Sequence, residues 1–443
     1  MYRLTSLLTV LALGMFTSAV PLTVPLGATG RSLTISADGQ SITVGNQTVK
    51  LSEVMAHGAS CEAGGTGAVA NSSTATSTNA KAIYFMTNSA KNSIVALKVA
   101  ADGTLSNGSI TATGGAGMSG LDSTGAPAAP DSIFSQGAVK VTGNTLVAVN
   151  PGSNTLSMFT ISVHDPTHLT IVGKPVSTLG EFPLSVAVSA SLSMACVANS
   201  GFKAGIACFS MSPQKGLTPL DRSLRPFSLN QTTPPTGPFN TVSQTFFNAD
   251  SSALLTTVKG TPALNTTGFL SVFPVSNGAV GKRDVRSSPM GTAVLFGTAL
   301  LPDSTNIFVT DASFGSATLS LSSANIASVS ASTKIAGQAA TCWATFSDVT
   351  GTAFVTDVGV NRLVEVDTIT GQLVNELSLD NGNPGMIDLV SKGNFVYALS
   401  PGNSTTKAAV AVFDVSAGRG MAKAVQNFVL EGVADSAQGM TSF

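Results

Sequence analysis

Seven short apolar runs recur along the chain, and each ends on a polar residue: Ile83-Tyr-Phe-Met-Thr-Asn88, Leu146-Val-Ala-Val-Asn150, Met194-Ala-Cys-Val-Ala-Asn199, Leu254-Leu-Thr-Thr-Val-Lys259, Ile307-Phe-Val-Thr-Asp311, Ala353-Phe-Val-Thr-Asp357 and Phe395-Val-Tyr-Ala-Leu-Ser400. Their starts lie 63, 48, 60, 53, 46 and 42 residues apart, slightly above the period of about 40 to 50 residues typical of a four-stranded propeller blade. A small-residue strand precedes most runs, as in Ser185-Val-Ala-Val188 or Thr298-Ala-Leu-Leu301. A third strand follows with the polar–apolar alternation of a half-buried strand, as in Leu363-Val-Glu-Val-Asp367 and Ala409-Val-Ala-Val-Phe-Asp414. A Gly turn then leads to a fourth, as at Thr370-Gly371 before residues 373–377. The pattern predicts an all-β protein, a seven-bladed β-propeller of four-stranded antiparallel blades. Radial packing covers sheet faces that a lone four-stranded sheet would leave wet. The last segment, 436–443, reads as an inner strand with no second strand after it, and the run at Ile83 lacks an inner strand before it. Joining them would close the ring through the C-terminal strand. A row of β-sandwiches fits less well: no Pro-rich or charged linker divides the chain, and the period is short for domains of about 100 residues.

Three segments are expected. Residues 1–19 read as a signal peptide, with Arg3, an apolar stretch over 4–16 and Thr17-Ser18-Ala19 as the cleavage site. Residues 20–80 form an extension with a small hairpin (33–44 and 49–54) and a Gly/Ser/Thr-rich loop at 63–80. Residues 81–443 form the propeller. The apolar stretch at the N-terminus is too short to span a bilayer, and no later segment reaches 18 apolar residues. Six Asn-x-Ser/Thr sequons, at Asn46, Asn71, Asn107, Asn230, Asn265 and Asn403, agree with secretion to the extracellular space or cell wall. Of the three pairings open to four cysteines, the short Gly-containing turn favours Cys196–Cys208, which leaves Cys61–Cys342. No close Cys pair suits zinc, and His57, His164 and His168 are not spaced with the cysteines. No metal and no cofactor are expected.

Composition removes one partner class. Only 10% of the 443 residues are charged and the formal net charge is −1, so a nucleic-acid surface is excluded. The expected partners are an extracellular matrix protein, a glycan, or a small carboxylate or lactone, bound by a monomer. There is no Gly-x-Ser-x-Gly elbow, P-loop or His-Glu-x-x-His. Gly114-Gly-Ala-Gly117 reads as a loop, and His164 and His168 flank Asp165-Pro166 in an exposed turn.

In a propeller, the loops entering first strands and leaving second strands gather on one face around the axis. Those positions give a candidate rim of Asp131, Gln136, Glu181, Asn240, Gln244, Trp343 and Met386 from loop entries, and Lys259, Asp311 and Asp357 from second-strand ends. Lys259 is the sole cation among these strand ends. If the chain is an enzyme, Lys259 would hold an anion or carbonyl, while Glu181 or Asp311 moves the proton. For Asp311 and Asp357 the competing role is bonding the amides of their own turns.

The repeats, with Pro130-Asp-Ser-Ile-Phe-Ser-Gln-Gly-Ala-Val139, Asn150-Pro-Gly-Ser-Asn-Thr-Leu-Ser-Met-Phe159, Gly180-Glu-Phe-Pro-Leu-Ser185 and Leu229-Asn-Gln-Thr-Thr-Pro-Pro-Thr-Gly-Pro-Phe-Asn-Thr-Val-Ser-Gln244, resemble secreted fungal proteins labelled 3-carboxymuconate cyclase-like, which include cell-wall glycoprotein antigens. The resemblance covers residues 80–443. It implies the lactonase propeller superfamily, with its muconate-lactonizing enzymes and 6-phosphogluconolactonases, and cofactor-free lactone ring closure or opening. Enzymatic members carry Gly-Pro-Arg-His before one inner strand and an Asn-Glu-Leu type strand end. This chain has Gly237-Pro238-Phe239-Asn240 and Val258-Lys259-Gly260 there, and Gly180-Glu-Phe-Pro-Leu-Ser185 lacks a further expected His. Lactonizing a tricarboxylate needs a general acid and several cations. The departures point to an extracellular, adhesin-like ligand-binding propeller. The alternative is a cofactor-independent lactonizing cyclase or lactone hydrolase with another substrate.

Overall fold

The computed structural model describes residues 22–25, 32–35, 41–44, 47–50 and 79–443, except 303–304 and 404. The chain divides into two units, 1–74 and 75–443. In the first, Leu22–Pro25, Ser32–Ile35, Ser41–Val44 and Gln47–Lys50 pair in sequence order as an antiparallel meander, two strands more than the expected hairpin. The signal segment 1–19, the Gly/Ser/Thr-rich loop up to residue 78, His57, Cys61, and the sequons at Asn46 and Asn71 lie outside the described residues.

The second unit is a seven-bladed propeller of antiparallel blades. We number the blades from the one that contains both chain ends of the unit. Blade 1 is Gln438–Ser442, Ala82–Met86, Ser93–Val99 and Leu105–Ala112. From inner to outer strand, blade 2 starts at Val139–Thr142, blade 3 at Pro183–Ser189, blade 4 at Val242–Phe247, blade 5 at Leu295–Leu300, blade 6 at Thr341–Ser347 and blade 7 at Ile387–Lys392. These seven inner strands neighbour one another around the axis and close the ring. As the unpaired end segment predicted, Gln438 and Thr441 face Met86 and Tyr84 across blade 1, and Phe443 exchanges backbone bonds with Ala82 and Lys81.

The burial gradient follows from radial stacking. Second strands such as Met194–Asn199, Ala253–Val258 and Phe395–Ser400 are buried at every residue, because neighbouring blades cover both faces. Outer strands such as Leu105–Ala112 and Ala327–Lys334 alternate exposed and covered residues. Cys196 and Cys208 face each other across the second and third strands of blade 3 and form the expected disulfide, with Cα atoms 4.0 Å apart. Cys342 is a buried thiol without a disulfide among the described residues; Cys61, its expected partner, lies outside them. No helix among the described residues is long and apolar enough to cross a membrane.

Two repeat intervals exceed the others because two connections are long: 113–138, between blades 1 and 2, and 227–241, between blades 3 and 4. They meet over one end of the axis, where Leu121 N donates to Pro235 O at 2.9 Å and Gly237 N to Leu121 O at 2.8 Å. The first connection then runs down the axis itself. Ser132 through Gly137 are all buried, and their polar atoms bond to blade after blade. Ser132 Oγ donates to Ser436 O, leading into the inner strand of blade 1, at 2.9 Å. Ser135 Oγ donates to Leu184 O of blade 3 at 2.7 Å. Gln136 N donates to Ser243 O of blade 4 at 3.0 Å. The Gln136 amide donates to Thr298 O of blade 5 and Ala344 O of blade 6, and accepts from Ala344 N. Gly137 N donates to Asp388 of blade 7. The channel is therefore plugged, with a cavity left at each end.

Deleting residues 438–443 removes the innermost strand of blade 1 and the Gln438 contacts to the axial segment. The expected cost is more than about 4 kcal/mol, beyond ordinary single-site effects. A thermal melt followed by far-UV circular dichroism should show loss of the cooperative transition, and an unchanged melt would contradict the latch.

Candidate functional site

The front cavity, under the two long connections, encloses about 340 Å³. Phe134, Phe239, Phe296, Pro130, Pro238 and Val294 supply apolar wall. Phe134 holds a left-handed backbone, φ +59°, which costs an aromatic residue about 1–3 kcal/mol. Its neighbours offset that strain. Asp131 Oδ1 accepts from Phe134 N at 2.9 Å, and Lys259 Nζ donates to Phe134 O at 2.7 Å. The ring lies against Gly120 and Gly237, where any Cβ would strike it, so the two long connections are shaped around this side chain.

Four titratable groups line the cavity, Asp122, Asp131, Lys259 and Cys342, and the last three are the ones that burial perturbs. Lys259 is 2% exposed. Its Nζ donates to Phe134 O, to Val242 O at 3.1 Å and to Ser243 Oγ at 2.9 Å, and lies 4.5 Å from the centre of the Phe296 ring. Burial pulls the amine below the usual lysine range. Ser243 Oγ, however, commits its own proton to Leu295 O. All three partners therefore take protons from Lys259, and only the ammonium has three to give. Lys259 is thus a charged tie, already saturated, rather than a free nucleophile. Asp131 is partly exposed by area, but what it faces is the apolar cavity. Burial pushes its carboxyl up to about 6, against the opposing pull of a hydrogen bond from Gln438 Nε2 at 2.8 Å and the charge of Lys259. Burial also pushes the Cys342 thiol well up, which leaves it protonated and unreactive at neutral pH.

Of the residues expected on one rim, only Asp131 and Lys259 line this cavity. Gln136 and Gln244 line the cavity at the opposite end, because the lead-in to blade 2 descends the axis instead of staying on the face. Glu181 is turned away between Leu179 and Phe182, both at positive φ. Its carboxylate accepts from Thr233 Oγ1 at 2.6 Å and lies 3.6 Å from Lys203. Asp311 accepts from the amides of Ala293, Val294 and Ser313. Asp357 accepts from Ala339, Ala340 and Gly359. Both hold the lead-in of their own blade, the turn-bonding role weighed above. Trp343 is wholly buried, donates to Ser135 O at 3.1 Å and packs edge-on against Phe296 with ring centres 5.1 Å apart. Met386 is buried in the core and Asn240 bonds Leu229 O. His164 and His168 are exposed. The three catalytic candidates, Lys259, Glu181 and Asp311, do not converge on one point of the cavity.

Sequence reading missed Phe134, Phe296 and Cys342. The signal available was the parity of inner-strand residues: Val294 and Phe296, like Cys342, lie at strand starts on the axial side. Among the described residues no cluster of three or more His, Cys, Asp or Glu could hold a metal.

No protein-family model matches the chain, and no curated protein matches it. Solved structures do. A periplasmic gluconolactonase of Pseudomonas aeruginosa is 16% identical with a TM-score of 0.57, over 81% of this chain and 98% of that one. A structure named for a 6-phosphogluconolactonase of Bacteroides uniformis is 15% identical with a TM-score of 0.51, over 65% of this chain and 84% of that one. The chain thus shares its seven-bladed fold with lactonase-like propellers.

The buried acids set a pH dependence. An acid whose folded pKa is raised stabilises the fold below its unfolded value, about 3.9, and loses that contribution as pH rises through the folded value. Asp131, at about 6, and Asp388, pushed up to about 7 by burial, should therefore make the protein melt at higher temperature near pH 5 than near pH 7.5. Asp131→Asn should flatten the slope around pH 6. A melting temperature that rises steadily over this window would contradict the assignment.

Proposed function

We propose that this is a secreted, glycosylated propeller that binds a small, neutral and mostly apolar ligand in its front cavity. The observation that carries the reading is the charge inventory of that cavity. Its acids are Asp122 and Asp131, and its cation is Lys259, whose three donors are already spent. An anion entering would lose hydration and gain no free cation. A polycarboxylate or a phosphorylated sugar lactone fits poorly, although two structural neighbours carry gluconolactonase names. A neutral ring presents apolar surface to Phe134, Phe239 and Phe296. The cavity volume lies at the small end of ligand pockets, about 300–1,000 Å³.

The extracellular part of the proposal rests on the N-terminus and the sequons. The N-terminal 19 residues have signal-peptide character, and the sequon residues Asn107, Asn230, Asn265 and Asn403 are all exposed, as glycan attachment requires. A role in the wall, as in the fungal antigens the sequence resembles, belongs to the same proposal.

One observation favours a second reading, hydrolysis of a neutral lactone. A carboxylate that titrates near 6 within an apolar cavity can take a proton from water at neutral pH. Asp131 would fill that role in place of Glu181 or Asp311.

The single tryptophan packs on a cavity wall and so reports occupancy. Titration with γ-nonalactone, a neutral apolar lactone, should shift Trp343 emission saturably, and Phe296→Ala should weaken the response several-fold. A flat emission across neutral lactones, cyclic ketones and phenols would contradict the binding reading. Acid release in a pH-stat, abolished by Asp131→Asn, would establish the second reading; no release leaves binding alone.

A further inference from the structure

The opposite end of the axis holds a second cavity of about 310 Å³, below the Gln136 plug. Its chemistry differs from that of the front. Gln136, Lys140, Gln244, Thr298, Thr345 and Thr441 all line it, and two of these present donors that have no hydrogen-bond partner among the described residues. Gln244 is 3% exposed. Its Oε1 accepts from Thr298 N at 2.6 Å, which fixes the amide orientation, and its Nε2 has no partner among the described residues. Gln136, by contrast, uses both ends of its amide. Lys140 is partly buried at the end of the inner strand of blade 2. Among the described residues its ammonium has no hydrogen bond and no ion pair.

Around Lys140 the protein supplies charge without contact. Asp388, 1% exposed and at φ +39°, accepts from the amides of Gly137 and Met440. Its Oδ2 is buried and unpaired. Asp388 and Lys140 attract each other but lie too far apart to pair. Burial disfavours the charged forms of both Lys140 and Asp388, so a carboxylate entering the cavity would supply the close counter-charge that Lys140 lacks among the described residues. At the cavity mouth Asp348 is exposed and disfavours ligands with several negative charges.

We infer that this cavity is a second binding site, for a small hydroxy-monocarboxylate, whose carboxylate sits on Lys140 and whose hydroxyl or second carboxylate oxygen accepts from Gln244 Nε2. The threonine hydroxyls serve the remaining polar groups. The front cavity, apolar and without a free cation, would refuse the same molecule. The two ends of one channel therefore select opposite chemistries, and this inference does not depend on what the front cavity binds.

Calorimetric titration of the full chain with sodium D-gluconate and with sodium L-lactate tests it. At least one probe should bind at millimolar concentration. Lys140→Met should weaken that binding about tenfold or more, the loss expected for one charge-assisted hydrogen bond. Gln244→Glu retains the acceptor for Thr298 N but replaces the free donor with a negative oxygen, and it should weaken binding at least as much. The γ-nonalactone response of Trp343 should stay unchanged in both variants, so failure here is distinguishable from failure at the front. Should Lys140→Met not fold, acetylation of the wild-type lysines read by peptide mass spectrometry decides: saturating gluconate should protect Lys140 while exposed Lys174 and Lys215 label as before. Absence of binding by both probes, equal affinity in the variants, or no protection of Lys140 would overturn the inference.

Discussion

A strap of buried backbone on the propeller axis is the constraint on which the rest depends. Residues 131–137 occupy the space where seven inner strands converge, and water cannot satisfy their amides and carbonyls there. Each unpaired buried polar group would cost about 1–3 kcal/mol. The ring supplies the partners instead: Ser436 and Gln438 from blade 1, Leu184 from blade 3, Ser243 and Lys259 from blade 4, Thr298 from blade 5, Trp343 and Ala344 from blade 6, and Asp388 from blade 7. A propeller otherwise has contacts only between neighbouring blades. This strap adds contacts from one connection to nearly all of them.

The same strap defines what each end of the channel can do. It carries Asp131 and Phe134 to the front cavity and draws Lys259 into a structural role, since the amine of blade 4 caps the strained carbonyl of Phe134. A lysine that looks like the rim's reactive cation is thereby consumed. Below Phe134, the Gln136 side chain crosses between blades 5 and 6 and separates an apolar chamber from a polar one. Strap bonding also explains the two buried carboxyls. Asp131 and Asp388 both accept backbone amides from residues 134–137, a geometric task that keeps them in place despite desolvation.

Blade number, strand order and the C-terminal latch were legible in the sequence because each has a one-dimensional signature. The run at Phe395 to Ser400 and the alternation at Ala409 to Phe413 specify strands through side-chain parity alone, and residues 438–442 declared themselves by lacking a partner. The site was legible only where position along a blade determines position in space, as for Lys259. Gln136 and Gln244 were assigned to the front because loops usually stay on their face; nothing in Pro130-Asp-Ser-Ile-Phe-Ser-Gln states that the segment dives down the axis. Glu181 escaped the cavity through two positive-φ residues of ordinary type, Leu179 and Phe182, which sequence does not flag. Lys140 reads as a routine strand residue, because what distinguishes it, an ammonium without a hydrogen bond or ion pair among the described residues, is a property of three dimensions.

Gln136→Met is the most direct test of the strap. Methionine fills the same volume but takes from Thr298 O and from both backbone groups of Ala344 the side-chain partner that joins blades 5 and 6. Hydrogen exchange should show protection falling together in the inner strands of blades 5 and 6, with a loss of about 3 kcal/mol or more in global stability. Protection and stability equal to the wild type would mean that the blades hold themselves together and the axial segment merely fills space.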